Sequence, residues 1–184
     1  MAVSYSRVVL LVVLIIFSSR AWTETYDPFL LRAEASIFPK IILLDKNLSI
    51  KAPENEVTIT IVSTSQDDEA ATQLMYLIND KYKNGLGDNK LKVNVTTFDI
   101  FKELPLATAY IVLQGSEDAY KKVTSYASSH NRIVFSYSYT DFIKKSLISM
   151  LVKEKTYIYL NKSAVQLYDI KFIPVFYEII KIIE

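Results

Sequence analysis

The 184-residue chain has no cysteine, only one histidine and one tryptophan, and three glycines. Without cysteine there can be no disulfide, thiol catalysis, iron–sulfur cluster or cysteine-ligated zinc, so stability has to come from the core. With a single histidine, His130, Ser-His-Asp chemistry would rest on that residue alone, and no Gly-x-Ser-x-Gly elbow accompanies it. His130 ends a helical pattern in "ASSHNR", where an imidazole suits the negative end of a helix. The glycine pair in "GLGD" (Gly85 to Asp88) is too short for a phosphate loop and follows a helix rather than a strand.

Charge of one sign is also lacking. The whole chain carries 21 Lys+Arg against 20 Asp+Glu and no basic tract. A surface built to neutralise phosphates needs clustered Lys and Arg, so nucleic acid is not an expected partner. The acidic run Asp67-Asp68-Glu69 lacks the alternate spacing and turn glycine of a calcium loop, and suits the positive end of a helix instead. No metal or cofactor is expected, and a catalytic carboxylate pair cannot be picked out from twenty acids. The chain is therefore read as a non-enzyme.

What is present begins at the N-terminus. Arg7 precedes the apolar run "VVLLVVLIIF" (Val8 to Phe17), followed by "SSRA" with small residues at Ser19 and Ala21. A basic start, a short apolar stretch and a small-x-small site make a secretory leader over residues 1–21, cleaved after Ala21. Ten residues rise only about 15 Å as a helix, half of a hydrocarbon core, so a cleaved leader fits better than a retained anchor. Removing Arg7 and Arg20, and no acid, leaves 19 basic against 20 acidic residues. Export without any cysteine points to a bacterial periplasm.

The rest reads as one domain, residues 25–184, with no linker, repeat or low-complexity tract. Asp27 caps and Pro28 starts a helix whose stripe is Leu30, Ala33, Ile37, Ile41 and Leu44, with Pro39 expected to kink or divide it. "VTITIVS" (57–63) is a strand, followed by a helix capped at Ser65 and stopped at Gly85. "KLKVNVTTF" alternates like a half-exposed or edge strand, whereas "TAYIVLQG" is apolar on both faces. A helix over "SEDAYKKVTSYASSH", a strand at "RIVFSYS", a hairpin in "SLISMLVKEKTYIYLN", a short helix from Asn161 and a terminal helix in "FIPVFYEIIKIIE" complete the order. The expected fold is α/β: three layers, a mostly parallel sheet with helices on both faces and an antiparallel C-terminal hairpin.

Thirteen tyrosines are the strongest compositional signal. In "FSYSYTDF" (135–142) alternating Tyr and Ser could line a recognition surface or pack beneath a helix. Tyr137, Tyr139 and Phe142 are the candidates for an exposed partner-binding surface. Asn161, between "YIYL" and "KSAVQL", is explained by capping the helix that follows.

The stretch "IVFSYSYTDFIKKSLISMLVKEKTYIYLNKSAVQLYDIKF" resembles the C-terminal half of the YfiR-like family of bacterial periplasmic proteins. The similar parts are the strand Ile133 to Ser136, the turn-side Asp141-Phe142, the strand Leu147 to Val152 and the strand end Tyr159-Leu160-Asn161. "LLRAEASIFPKIILLD" looks like that family's opening helix. Leu44-Asp45-Lys46 stands where many members carry Trp-Pro, Lys145-Ser146 replaces a common glycine, and the family's cysteines are missing. The resemblance implies a non-enzymatic regulator that binds the periplasmic part of an inner-membrane or envelope protein, such as a membrane-bound diguanylate cyclase. A structural accessory of a secretion or motility machine and a small-ligand-binding periplasmic protein are the alternatives. A homo-oligomer is left open.

Overall fold

A computed structural model of the chain describes residues 26–142 and 146–183; the leader expected at 1–21 lies outside them. A seven-stranded sheet runs in the order β2-β1-β3-β4-β5-β6-β7. Its strands are β1 (Glu56–Ser63), β2 (Lys90–Thr97), β3 (Ala109–Val112), β4 (Ile133–Ser136), β5 (Ile148–Val152), β6 (Thr156–Asn161) and β7 (Ile180–Ile183). The pairs from β2 through β5 are parallel, β5 and β6 form the antiparallel hairpin, and β7 returns parallel to β6. The expected α/β class, mostly parallel sheet and C-terminal hairpin are all present.

One face of the sheet carries α1 (Pro28–Ile42), and α3 (Asp68–Lys81) packs against α1, β1 and β2, with a short α2 (Leu48–Lys51) between them in sequence. The other face carries α4 (Glu117–Ser129), which contacts β3, β4 and α6 (Lys162–Tyr168). A single turn, α5 (Tyr139–Phe142), follows β4, and α7 (Pro174–Ile179) precedes β7. The β-branched runs of β1, β3 and β4 are covered from both sides: every residue of β3 and β4 is buried, as are Thr60, Ile61, Val62 and Ser63 of β1. Phe38 of α1 stacks on Phe135 of β4, centroids 4.4 Å apart, which keys the first helix onto the sheet. β2 lies at one edge, as its alternation required, with Lys90 and Lys92 exposed.

Local chemistry sets the boundaries. Asp27 accepts from the Phe29 N–H at 2.8 Å and Pro28 sits at the first helical position. Helix α1 nevertheless runs unbroken through Pro39, contrary to the expected division. Pro39 is buried with Phe38, Ile41 and Ile42, and that packing carries the helix across the lost backbone bond. Ser65 does not cap α3; residues 65–67 form a 3-10 turn, held by Thr64 donating to Asp67, and the helix starts at Asp68. In α4 the buried face is Tyr120, Val123, Thr124 and Ala127, with Ala119 and Tyr126 half-buried at its margin.

The largest departure is at the C-terminus. The terminal helix stops at Ile179, and Ile180 to Ile183 form β7. Three β-branched isoleucines in four residues disfavour the helix, while the outer edge of β6 offers unpaired backbone groups. The Asp45–Phe172 bridge, with Lys46 N–H donating to the Lys171 carbonyl and Ile173 N–H to the Leu44 carbonyl, ties this terminal segment back to the end of α1.

Candidate functional site

The hairpin and β7 build a tyrosine surface. Along β6 the pleat puts Tyr157 and Tyr159 on one face and Ile158 and Leu160 on the other; Leu160 is buried, while both tyrosines are half-buried. Tyr139, from α5, lies against Tyr159 with centroids 4.9 Å apart, and Tyr157 follows at 6.4 Å. The β6–β7 register aligns Tyr159 with Lys181, whose ammonium sits 3.7 Å from the centre of the Tyr157 ring. The C-terminal stretch of the sequence also leaves apolar groups in solvent, Ile182 on the sheet face opposite the ladder because it pairs with Leu160. Of ten exposed large apolar side chains among the described residues, five fall within 167–182: Leu167, Val175, Tyr177, Ile179 and Ile182. Amphipathic rings carrying hydroxyls, with a cation over one of them, are groups that protein interfaces favour.

The sequence-derived candidates divide across this region. Tyr139 belongs to the ladder, half-buried. Tyr137 does not: it is only 5% exposed, which corrects its reading as a surface residue. Its ring packs on Tyr26 at 4.7 Å, and its hydroxyl accepts the Asp27 N–H at 2.7 Å, so the incoming chain covers it. Phe142 ends α5, and its side chain lies outside the described residues. Tyr157 and Tyr159 were legible as a pair from the alternation in "TYIYLN"; Lys181 was not, because its position depends on β7. Asn161 caps α6, accepting the Ala164 N–H at 3.1 Å. His130 closes α4, exposed, with Nδ1 2.8 Å from the Tyr126 carbonyl.

A second polar constellation sits at the carboxyl ends of β1, β3 and β4. Tyr26, 8% exposed, accepts the Gln114 N–H on its hydroxyl at 3.1 Å, and the Asp67 carboxylate faces the same hydroxyl. Burial, and secondarily Asp67, push that phenol well above its ordinary range against the opposing Gln114 bond. Next to Gln114, Gly115 lets the Phe98 ring pack close: a Cβ there would meet the ring at 2.7 Å. Glu34 of α1 is wholly buried, neither carboxylate oxygen has a hydrogen-bond partner, and burial raises its pKa well above 4.5. Tyr137 is likewise raised, first by burial and then by Glu34.

At the opposite ends of the strands Lys51 donates to Asp45 at 2.5 Å, both side chains buried. Asp45 also accepts the Asn47 N–H at 2.9 Å, and the Lys51 carbonyl accepts from Thr108 and Arg132. This pair latches the α1–β1 connection. Among the described residues no helix is long and apolar enough to cross a membrane, and no group of His and acidic side chains has metal-site geometry. Two open surface hollows lie among the described residues, about 450 Å³ beside Tyr82 to Leu91 and about 440 Å³ beside Lys102, Lys121 and Lys122.

No protein-family model matches the chain, and no curated protein does. Two of the solved structures that share the fold show the extent of the similarity. A conserved domain protein from Vibrio cholerae O1 biovar El Tor matches with a TM-score of 0.57 at 13% identity, over 84% of this chain and 60% of that one. An ABC domain in complex with L-Trp from Streptococcus pneumoniae matches at 0.54 and 12%, over 79% and 61%. The chain thus spans about three fifths of the structures it resembles, and what it is similar to in them is an α/β architecture.

Proposed function

We propose that this chain is an exported, non-enzymatic protein-binding module of the YfiR-like kind. Its work is to hold the periplasmic part of an inner-membrane or envelope protein, such as a membrane-bound diguanylate cyclase, in one regulatory state. The observation that carries the reading is the half-buried Tyr139–Tyr159–Tyr157 ladder with Lys181 over it, in a C-terminal stretch that also holds five of the ten exposed large apolar side chains among the described residues. Exposed apolar area of that kind has an association to make. The leader pattern at 1–21 supports export, and a chain that works outside the cytoplasm meets membrane proteins through their extracytoplasmic parts.

Two experiments test it. Residues 1–30 fused to a reporter enzyme active only outside the cytoplasm should yield activity, and loss of the apolar run should abolish it; an equally active fusion without the run overturns the export half. The tagged full chain, recovered from its own cells in mild detergent, should bring down a membrane protein with an extracytoplasmic domain. Recovery only as a permanent part of a large envelope assembly would replace regulation with the structural role.

A further inference from the structure

Helix α3 passes into strand β2 through the link "YKNGLGDN" (Tyr82 to Asn89), and the first half of that link is pinned at both ends. The Tyr82 hydroxyl donates to the Ser36 carbonyl of α1 at 2.6 Å. Leu86, 1% exposed, exchanges backbone hydrogen bonds with Asn89 at 2.8 and 3.2 Å. Between these anchors lie Lys83, Asn84 and Gly85. Gly85 has φ +100°, and a Cβ there would meet the Asn89 carbonyl oxygen at 2.6 Å, so the turn demands glycine. Asn84 is under no such demand. It is exposed, and among the described residues its side-chain amide has no hydrogen-bond partner. Asn89, by contrast, donates to the Leu86 carbonyl, and Asn161 caps α6. No other asparagine of the chain precedes a glycine.

We propose that Asn84 is a site of spontaneous covalent modification, its side chain cyclising onto the Gly85 nitrogen and reopening as an aspartyl or isoaspartyl link. Asparagine is a thermolabile residue, and glycine presents its nitrogen with no side chain to shield it. The Gly85 nitrogen bonds to Cγ of Asn84, the Cγ–Nδ2 bond breaks, and Nδ2 leaves as ammonia, carrying the proton that the Gly85 amide gives up. Water then adds to one of the two imide carbonyls. Opening at Cγ gives aspartate; opening at the main-chain carbonyl gives isoaspartate, with one more carbon in the backbone. Asn84 and Gly85 both line the open hollow of about 450 Å³, so water reaches the reacting atoms. The opposing bond, Gly85 N–H to the Tyr82 carbonyl at 2.8 Å, closes a solvent-facing turn just past the end of α3, where backbone bonds open at low cost. The new carboxylate stands at the negative end of α3, and the longer backbone has to fit between the pinned Tyr82 and Leu86, so the isoaspartyl form is the less stable one. The site does not depend on the protein-binding reading above.

The test incubates the full chain at about pH 8 and 37 °C and follows each asparagine by peptide mass spectrometry. Asn84 should convert at least about tenfold faster than Asn79, Asn89 or Asn131. It should give two products of equal mass, each holding one labelled oxygen when the water is isotopically enriched. The rate should rise roughly tenfold per pH unit, with the ionised fraction of the Gly85 amide. Asn84→Gln, whose ring would be one carbon larger, should keep its charge unchanged over the same period. The separated isoaspartyl form should melt roughly 2 to 4 °C below the unmodified chain. An intact Asn84 while other asparagines convert, or an aspartyl product alone, overturns the proposal. So does conversion more than about 100-fold slower than in the same chain unfolded in urea, which would mean that the Gly85–Tyr82 bond locks the turn. An isoaspartyl form as stable as the unmodified chain overturns the strain between the two anchors.

Discussion

The ammonium of Lys181 stands 3.7 Å from the centre of the Tyr157 ring, joining the last strand of the chain to the outer strand of the hairpin. It places a cation on the tyrosine ladder and draws Lys181 over the sheet face. An exposed cation–π contact contributes about 0.5–1 kcal/mol. Lys181→Ala should therefore cost no more than that in urea denaturation, whereas Tyr157→Ala should weaken partner binding at least tenfold at nearly unchanged stability. A variant that unfolds, or one that binds as before, removes Tyr157 from the interface.

The Asp45–Lys51 pair should behave oppositely, as structure without recognition. Leaving one buried charge unpaired costs about 3–5 kcal/mol, so Asp45→Asn and Lys51→Met should each lower the denaturation midpoint sharply. The double variant Asp45→Leu/Lys51→Met should recover most of the loss. A double variant as unstable as the sum of the singles would show that the pair is worth more than its apolar replacement.

Glu34 gives the fold a pH dependence with a definite sign. The native state holds its proton more tightly than the unfolded chain, because burial without a partner disfavours the charge. Unfolding above pH 4.5 therefore releases a proton, and stability falls with rising pH until the native carboxyl also ionises. Glu34→Gln keeps the shape without titrating. Its Tm relative to wild type should move in its favour from pH 4 to pH 8; parallel curves would contradict the assignment.

Asn161→Ala should cost about 1 kcal/mol through the lost cap on α6, and Asn161→Gly only a few tenths. A loss of partner binding in the stable Gly variant would give Asn161 a second role.

Much of this fold could be read from residues alone. β1 declared itself as a β-branched run, β3 as a strand too apolar for one-sided burial, and β2 as an edge by its alternating lysines. Asn161 read as a cap because capping is decided within three residues. Decisions that depend on distant neighbours were illegible. Tyr137 sits in a Tyr/Ser alternation that looks like surface, and only the chain arriving at Tyr26, 111 positions earlier, buries it. Ile180 to Ile183 fit an amphipathic helix by spacing, and the open edge of β6 made them a strand. Pro39 survives inside α1 because tertiary packing outweighs a local penalty. The tyrosine ladder was half visible: its two β6 members follow from period two, while Tyr139 and Lys181 join only in three dimensions.

The most direct measurement is site-specific photo-crosslinking in the cells that make this protein. A photoreactive phenylalanine replaces Tyr157 in one strain, and in another Tyr76, which is 68% exposed on α3. Position 157 should capture a membrane protein through its extracytoplasmic domain, and position 76 should not. Equal capture at both positions, or adducts at 157 only with other copies of this chain, would contradict a C-terminal tyrosine surface built to hold an envelope partner.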